Sequence, residues 1–279
     1  MSKNKTDSLV TAAISVTNLN RYPIKSLKGE ELEGANIKTT GIEYDRHWML
    51  VDDKGKFITQ RKHPQLALLS AWIEGDTLNL KIPGQEKIIS KIKPQANNDS
   101  MKVSIWNDEL IAKTVEPSID DLLSEYLNKK CQLIVMDHQQ PRIISDEAAE
   151  GTVSFADAFP FLLIGSESLS TLNGKLKTPV SKQNFRPNIV VNTHRAHEED
   201  SWDEVKIGEV RFKNVKLCSR CILTTVDPET GVRSVEQEPL VTLLTYRNIE
   251  QKIMFGINLI ALNEGVIRKS DEVEVLSYL

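Results

Sequence analysis

The sequence predicts a mainly β protein with several helices, an α+β chain in which an N-terminal β-barrel-like domain precedes a second barrel. Three observations carry that expectation. Short β-branched runs alternate with turn pairs through the first half, helical periodicity is confined to three short windows, and one long polar stretch separates the halves. Short strands joined by tight turns favour a barrel or sandwich over a doubly wound sheet.

The elements follow in chain order. Residues 14–24 (ISVTNLNRYPI) are rich in β-branched side chains and end near Pro23. SAWIEGDTLNLKIP (70–83) alternates about Gly75-Asp76, a hairpin signal, and KVSIWNDELIAKTV (102–115) repeats the pattern about Asn107-Asp108. Ser118 with Asp121 resembles a capping box ahead of a segment whose Leu122, Leu123, Tyr126 and Leu127 share one face. A second helix is expected after Ser166, carrying Leu169 and Leu172. A third begins near Pro239, a good first-turn residue, and carries Leu240, Leu243 and Leu244. MFGINLIALNEGVI and DEVEVL return to strand, broken at Asn263-Glu264-Gly265. The polar run 137–155, punctuated by Pro141 and Gly151, separates an expected domain 12–136 from an expected domain 137–279 and suits a functional loop as well as a linker.

At 279 residues, 40% hydrophobic and 27% charged, the chain has the composition of a packed globular enzyme or binding protein. Its net charge of −4 argues against a chain-wide attraction to nucleic-acid polymer or an anionic membrane, so an anionic ligand must be met by local cations. The N-terminal MSKNKTDSLVTAA is polar, and no stretch approaches the roughly 20 apolar residues of a membrane span. The expected location is cytoplasmic, with no membrane partner.

Three cysteines, Cys131, Cys218 and Cys221, are too few for a disulfide framework or a Cys₄ iron–sulfur cluster. Electron chemistry would therefore need a separate electron-transfer protein. The stretch LCSRCILTTVDPETG (217–231) leaves several readings open. Structural zinc would need a second Cys-x-x-Cys or histidines at knuckle spacing, and the chain has neither. A dithiol redox pair would favour a following helix, whereas ILTTV looks like strand. Two inert core cysteines are the plain alternative. Arg220, between the cysteines, favours a thiolate, which is the form that binds metal.

CSRCILTTVDPETG followed by EPLVTLLTYR (238–247), with NFRPNIVV (184–191) and EEDSWDEVKIGEV (198–210) upstream, closely resembles the MOSC domain of molybdenum cofactor proteins. RYPIKSL (21–27), GIEYDRHWMLVD (41–52) and FITQRKHPQLALL (57–69) look like the β-barrel domain that precedes MOSC in the same family. The resemblance covers nearly the whole chain and extends to the amidoxime-reducing members and their bacterial counterparts. It implies a molybdenum cofactor, Mo-molybdopterin, with Cys221 as the protein ligand to the metal. Lys25, Ser26, Arg46, Arg186, Asn188, Ser219, Arg220 and Asn258 match cofactor-contact positions, and Arg61 is a further candidate. Asp157 in FADAFPF matches an aspartate beside the metal and is expected to relay protons. Arginines suit this task because their planar fork binds phosphate oxygens bidentately.

The implied activity is reduction of N–O bonds in small N-hydroxylated compounds such as amidoximes, hydroxylamines or N-hydroxylated base analogues. Electrons are expected from a ferredoxin, flavoprotein or b-type cytochrome. The alternative is a non-catalytic cofactor carrier or sulfur-transfer protein. The cofactor is expected between the two barrels, since Lys25 and Arg46 come from one and Arg186 and Cys221 from the other.

Overall fold

The structure, a computed structural model, describes residues 13–85, 99–115, 117–137 and 139–279, together with the backbone of 89–92. The polar N-terminal run through residue 12 and His138 lie outside the described residues. The chain is mainly β, as expected. A nine-stranded sheet runs in the order Glu30–Leu32, Val16–Arg21, Ile189–Val191, Phe161–Gly165, Lys252–Ala261, Val210–Ser219, Trp202–Ile207, Val273–Tyr278, with Asn248–Ile249 paired to its long central strand. A four-stranded sheet is built from Trp48–Val51, Gln132–Met136, Asp108–Thr114 and Ser100–Ile105.

The first strands do not stay with the N-terminal half. Val16–Arg21 pairs with Ile189–Val191, and Gly34–Lys38 pairs with Gly265–Arg268. Val16, Leu19, Ala35, Ile37 and Ile42 are buried in one core with Phe161, Leu163, Trp202 and Phe212. The chain then crosses to the other sheet between Ile42 and Trp48, and that crossing carries Arg46.

Strand periodicity explains how one sheet serves two cores, because successive side chains point to opposite faces. Trp48 and Leu50 join one cluster with Leu133 and Val135, while Met49 and Val51 join another with Ile134 and Met136. Both strands are therefore apolar at consecutive positions. Phe161–Gly165 divides likewise, with Phe161 and Leu163 on one face and Leu162 and Ile164 on the other. Fully burying a side chain of this size contributes about 1.5–3 kcal/mol.

The hairpin at Gly75-Asp76 forms as expected, with Glu74 opposite Thr77. The next hairpin turns one residue earlier than expected: Ile105 pairs with Asp108, so the turn pair is Trp106-Asn107. The first helix, Pro117–Leu127, starts ahead of Ser118, with proline in its first turn. Ser118 is therefore inside the helix and not its cap. Ser166–Asn173 and Leu240–Leu244 are helical as expected. ILTTV, expected as strand, is instead a 3-10 helix, Ile222–Thr225. The Thr224 and Thr225 hydroxyls donate to the carbonyls of Cys221 (3.0 Å) and Ile222 (2.7 Å), so the segment satisfies its polar groups locally, where a strand would need a partner. No helix among the described residues is long and apolar enough to cross a membrane.

Candidate functional site

A cleft of about 470 Å³ opens where loops of the two halves meet. Lys25, Ser26, Arg46, Asp157, Arg186, Asn188, Ser219, Arg220, Cys221 and Asn258 all line it, together with Arg61. The structure thus brings together every residue singled out from the sequence. They come from far-separated segments: the loop after Val16–Arg21, the crossing before Trp48–Val51, the loop before Phe161–Gly165, the turn before Ile189–Val191, and the end of Val210–Ser219.

Backbone strain concentrates here. Ser26 (φ 72°), Arg46 (φ 48°), Trp106 (φ 55°) and Arg186 (φ 56°) adopt the left-handed conformation that non-glycine residues seldom take. Each lines the cleft. Such strain persists only where the surroundings hold it, and it clusters at ligand sites.

Asn258 reaches the cleft through a glycine. In Lys252–Ala261, Ile253 and Phe255 pack in one core while Ile257 and Leu259 pack in another, although all four share the same parity. Gly256, at φ 77°, lies between the two pairs and lets the strand reverse its faces. Asn258 consequently sits opposite Leu162, another cleft residue.

The cations are held in place by the protein. The guanidinium carbons of Arg46 and Arg186 each lie 4.2 Å from the Tyr22 ring centre. Arg46 pairs with buried Asp45 at 2.5 Å and donates to Asn188 Oδ1 at 3.1 Å, and Arg186 donates to the Leu27 carbonyl at 2.7 Å. Burial, reinforced by Arg46, lowers the Arg186 pKa to about 10, and burial raises Tyr22 to about 12. Asn188 is occupied on both sides: its Oδ1 also accepts from Leu162 N–H and its amide donates to the Asn20 carbonyl. It therefore ties the Arg46 crossing to the 162–188 region.

Lys25 is deeply enclosed. Its side chain is 6% exposed, and Nζ donates to the Phe155 carbonyl at 2.7 Å and to Asp157 at 2.5 Å. Burial lowers its pKa to about 8 against the opposing pull of Asp157. For Asp157, burial acts to raise the pKa, yet Lys25 and Arg61 hold the carboxyl well below the usual carboxylate range. Asp157 accepts from Lys25, from Arg61 at 2.7 Å and from Trp106 Nε1 at 3.2 Å. The proton near neutral pH resides on Lys25.

The two cysteines have different neighbours. Arg220, expected to support a thiolate at the ligand, donates to Cys218 Sγ at 2.9 Å and to the Phe185 carbonyl at 2.6 Å. Cys221 is exposed and accepts from Arg61 Nε at 3.3 Å. The cation on the exposed sulfur therefore comes from the N-terminal half. Sequence proximity identified Arg220 as that cation, and no local signal paired Arg61 with Cys221.

Trp106 was also missed, because a tryptophan between two strands reads as core. Arg142 was missed too. Buried beneath the 154–157 loop, it pairs with Asp108 at 2.7 Å and donates to the carbonyls of Ser154, Ala156 and Asp157.

The donor set fits an anionic cofactor bearing a phosphate. Two buried donors at the cleft, Arg186 Nη2 and Arg220 Nε, have no protein partner. Six cations line the space against two carboxylates, Asp146 and Asp157, and both carboxylates are already paired, with Lys216 and with Lys25 and Arg61. A zinc knuckle does not assemble: the lining contains no histidine and no third cysteine, and Cys131 is buried in a different core. A second group of potential ligands, His197, Glu199 and Asp200, is engaged by the protein only in part, since both His197 ring nitrogens and Asp200 Oδ1 have no hydrogen-bond partner. Arg247 pairs with Asp200, and Ser168 and Gly165 donate to Glu199.

Comparison with known proteins agrees with this geometry. Residues 13–130 match the MOSC N-terminal beta barrel domain and residues 150–274 match the MOSC domain. Mitochondrial amidoxime-reducing component 1 of Mus musculus is 36% identical over 280 aligned residues, spanning 94% of this chain and 82% of the relative.

The chain belongs to the amidoxime-reducing component family.

The Homo sapiens member of this family, component 1, is 34% identical over 94% of the chain and 83% of its own length. Component 2 of Bos taurus is 33% identical over 84% of the chain and 72% of its own length. In this member of the MOSC family, both matched regions contribute to the cleft: Lys25, Arg46, Arg61 and Trp106 lie in the first, Asp157, Arg186 and Cys221 in the second.

Proposed function

We propose that this chain is a molybdenum-cofactor oxidoreductase that reduces N–O bonds in small N-hydroxylated compounds. The observation that carries the reading is an exposed thiol, Cys221, beside a cleft lined by six cations, in a chain whose relatives are named for amidoxime reduction. Cys221 would anchor the metal, and Arg186 and Arg220 would hold the anionic end of the pterin, assisted by Arg46 and Ser26.

Bound there, the cofactor supplies the two-electron couple of the reaction. Converting N–OH to N–H releases water and consumes two electrons and two protons. Asp157 stays ionised and fixes Lys25 and Arg61, while Lys25 Nζ holds a proton near neutral pH. Arg61 orients the Cys221 sulfur from the N-terminal side. Each turnover draws its electrons from a separate electron-transfer protein, a ferredoxin, flavoprotein or b-type cytochrome.

The test compares molybdenum and pterin content of the wild type and Cys221→Ala, purified from a host that makes the cofactor. Stoichiometric molybdenum in the wild type and its loss in the variant are expected. Equal content in both overturns the thiolate anchor. A fully metallated wild type that reduces no N-hydroxylated compound with an artificial electron donor overturns the reductase reading in favour of a cofactor carrier.

A further inference from the structure

Trp106 lines the same cleft as Cys221 but carries no charge. It occupies the first position of the two-residue turn between Ser100–Ile105 and Asp108–Thr114, at φ 55°. Tight hairpins favour glycine, asparagine or aspartate at positive φ, and a bulky side chain there is an outlier. Asn107, the next residue, would meet that preference better in its place. The chain instead keeps a large aromatic at the strained position.

The surroundings fix the ring. Asp108, at the base of the turn, pairs with Arg142, which also donates to the Ala156 and Asp157 carbonyls, so the hairpin tip and the Asp157 loop are held by one buried guanidinium. The indole Nε1 donates to Asp157 Oδ1 at 3.2 Å. Phe57 meets the ring edge to face, with centroids 5.2 Å apart, and the Arg61 guanidinium carbon lies 4.4 Å from the indole centre. Despite these contacts Trp106 is 51% exposed. Arg61 thus lies over the ring and itself reaches Cys221 Sγ at 3.3 Å, and the half of the indole left exposed in the same cleft is a stacking platform, because an offset parallel arrangement favours a flat conjugated partner over a saturated one.

We propose that Trp106 determines substrate specificity: its indole is the surface on which the planar π system of an N-hydroxylated substrate stacks. The proposal rests on the N–O reductase reading. It assigns the preference to the ring face and not to the Nε1 hydrogen bond, so phenylalanine should substitute for tryptophan.

The experiment uses metallated wild type, Trp106→Phe and Trp106→Gly with an aromatic amidoxime and a saturated alkyl amidoxime, driven by a reduced viologen dye. Glycine relieves the positive φ, so loss of the ring does not endanger the fold, which urea unfolding checks. The wild type should favour the aromatic compound in kcat/KM. That ratio should fall about tenfold in Trp106→Gly and stay near the wild-type value in Trp106→Phe. A ratio in Trp106→Gly within about twofold of wild type overturns the proposal while leaving the reductase reading intact. An equal fall in Trp106→Phe also overturns it, since the effect would then belong to the hydrogen bond to Asp157. A metallated wild type that reduces neither compound defeats the reductase reading and the specificity assignment together.

Discussion

Replacing Lys25 by methionine tests the electrostatics of the cleft through stability, independently of turnover. Burial lowers the Lys25 pKa from 10.5 to about 8, even with Asp157 at 2.5 Å. Between those values the unfolded chain carries a proton that the folded chain has released. Unfolding then takes up a proton, and stability rises with pH. Below pH 8 both states are protonated and the residue contributes no slope. The contribution is complete above 10.5 and lost as pH falls through 8. Each pH unit inside the window corresponds to about 1.4 kcal/mol. From pH 8 to pH 10 the wild type should therefore gain about 2–3 kcal/mol relative to Lys25→Met. The offset at pH 7 should stay near about 1 kcal/mol, because Asp157 is half exposed and keeps Arg61 and Trp106 as partners. Urea unfolding at one-unit intervals from pH 7 to pH 10, with m-values compared, reads the difference. A wild-type-minus-variant difference that is flat from pH 8 to pH 10 refutes the reasoning. Asp157→Asn supplies an internal check: without the carboxylate that raises the Lys25 pKa, the rise should begin below pH 8.

Two further outcomes follow from the fold. Gly256→Ala should cost about 2 kcal/mol or more, since the backbone sits at φ 77° and an added Cβ would lie 2.6 Å from Ile164 Cγ2 and 2.7 Å from the Leu163 carbonyl; an unchanged melting temperature would remove the account of how Asn258 reaches the cleft. Asp120 is raised to about 6, chiefly by burial, so its contribution is full below 3.8 and lost as pH rises through 6. Asp120→Asn, which keeps an acceptor for the Leu133 N–H, should match the wild type at pH 4 and exceed it in unfolding free energy at pH 7.

Much of the site was legible because its residues sit in contiguous motifs. YPIKS, DRHW, FRPN and CSRC each place a candidate group beside turn-forming neighbours, and all of these groups reach one cleft. Elements with strong local signals also formed as read, such as the Gly75-Asp76 hairpin and the helix Ser166–Asn173. Trp106-Asn107 was misplaced by one residue because turn preference points to asparagine, whereas Arg142 reaches in from outside the hairpin to pair with Asp108 at the base of the turn. ILTTV was misread because β-branching favours strand unless the hydroxyls find local acceptors, as Thr224 and Thr225 do.

The sequence by itself determined the mainly β character, the positions of the cation-bearing motifs and the candidacy of Cys221. The β character depends on period-two patterning, which one segment contains in full, whereas the cation-bearing motifs and Cys221 became candidates through their resemblance to the MOSC family. Only the tertiary structure decided which cation meets which group: Arg61 and not Arg220 contacts Cys221, and Lys25 keeps Asp157 ionised. Pairing and burial join residues more than a hundred positions apart, and the strength of a charge interaction depends on distance and solvent exposure that no local pattern encodes.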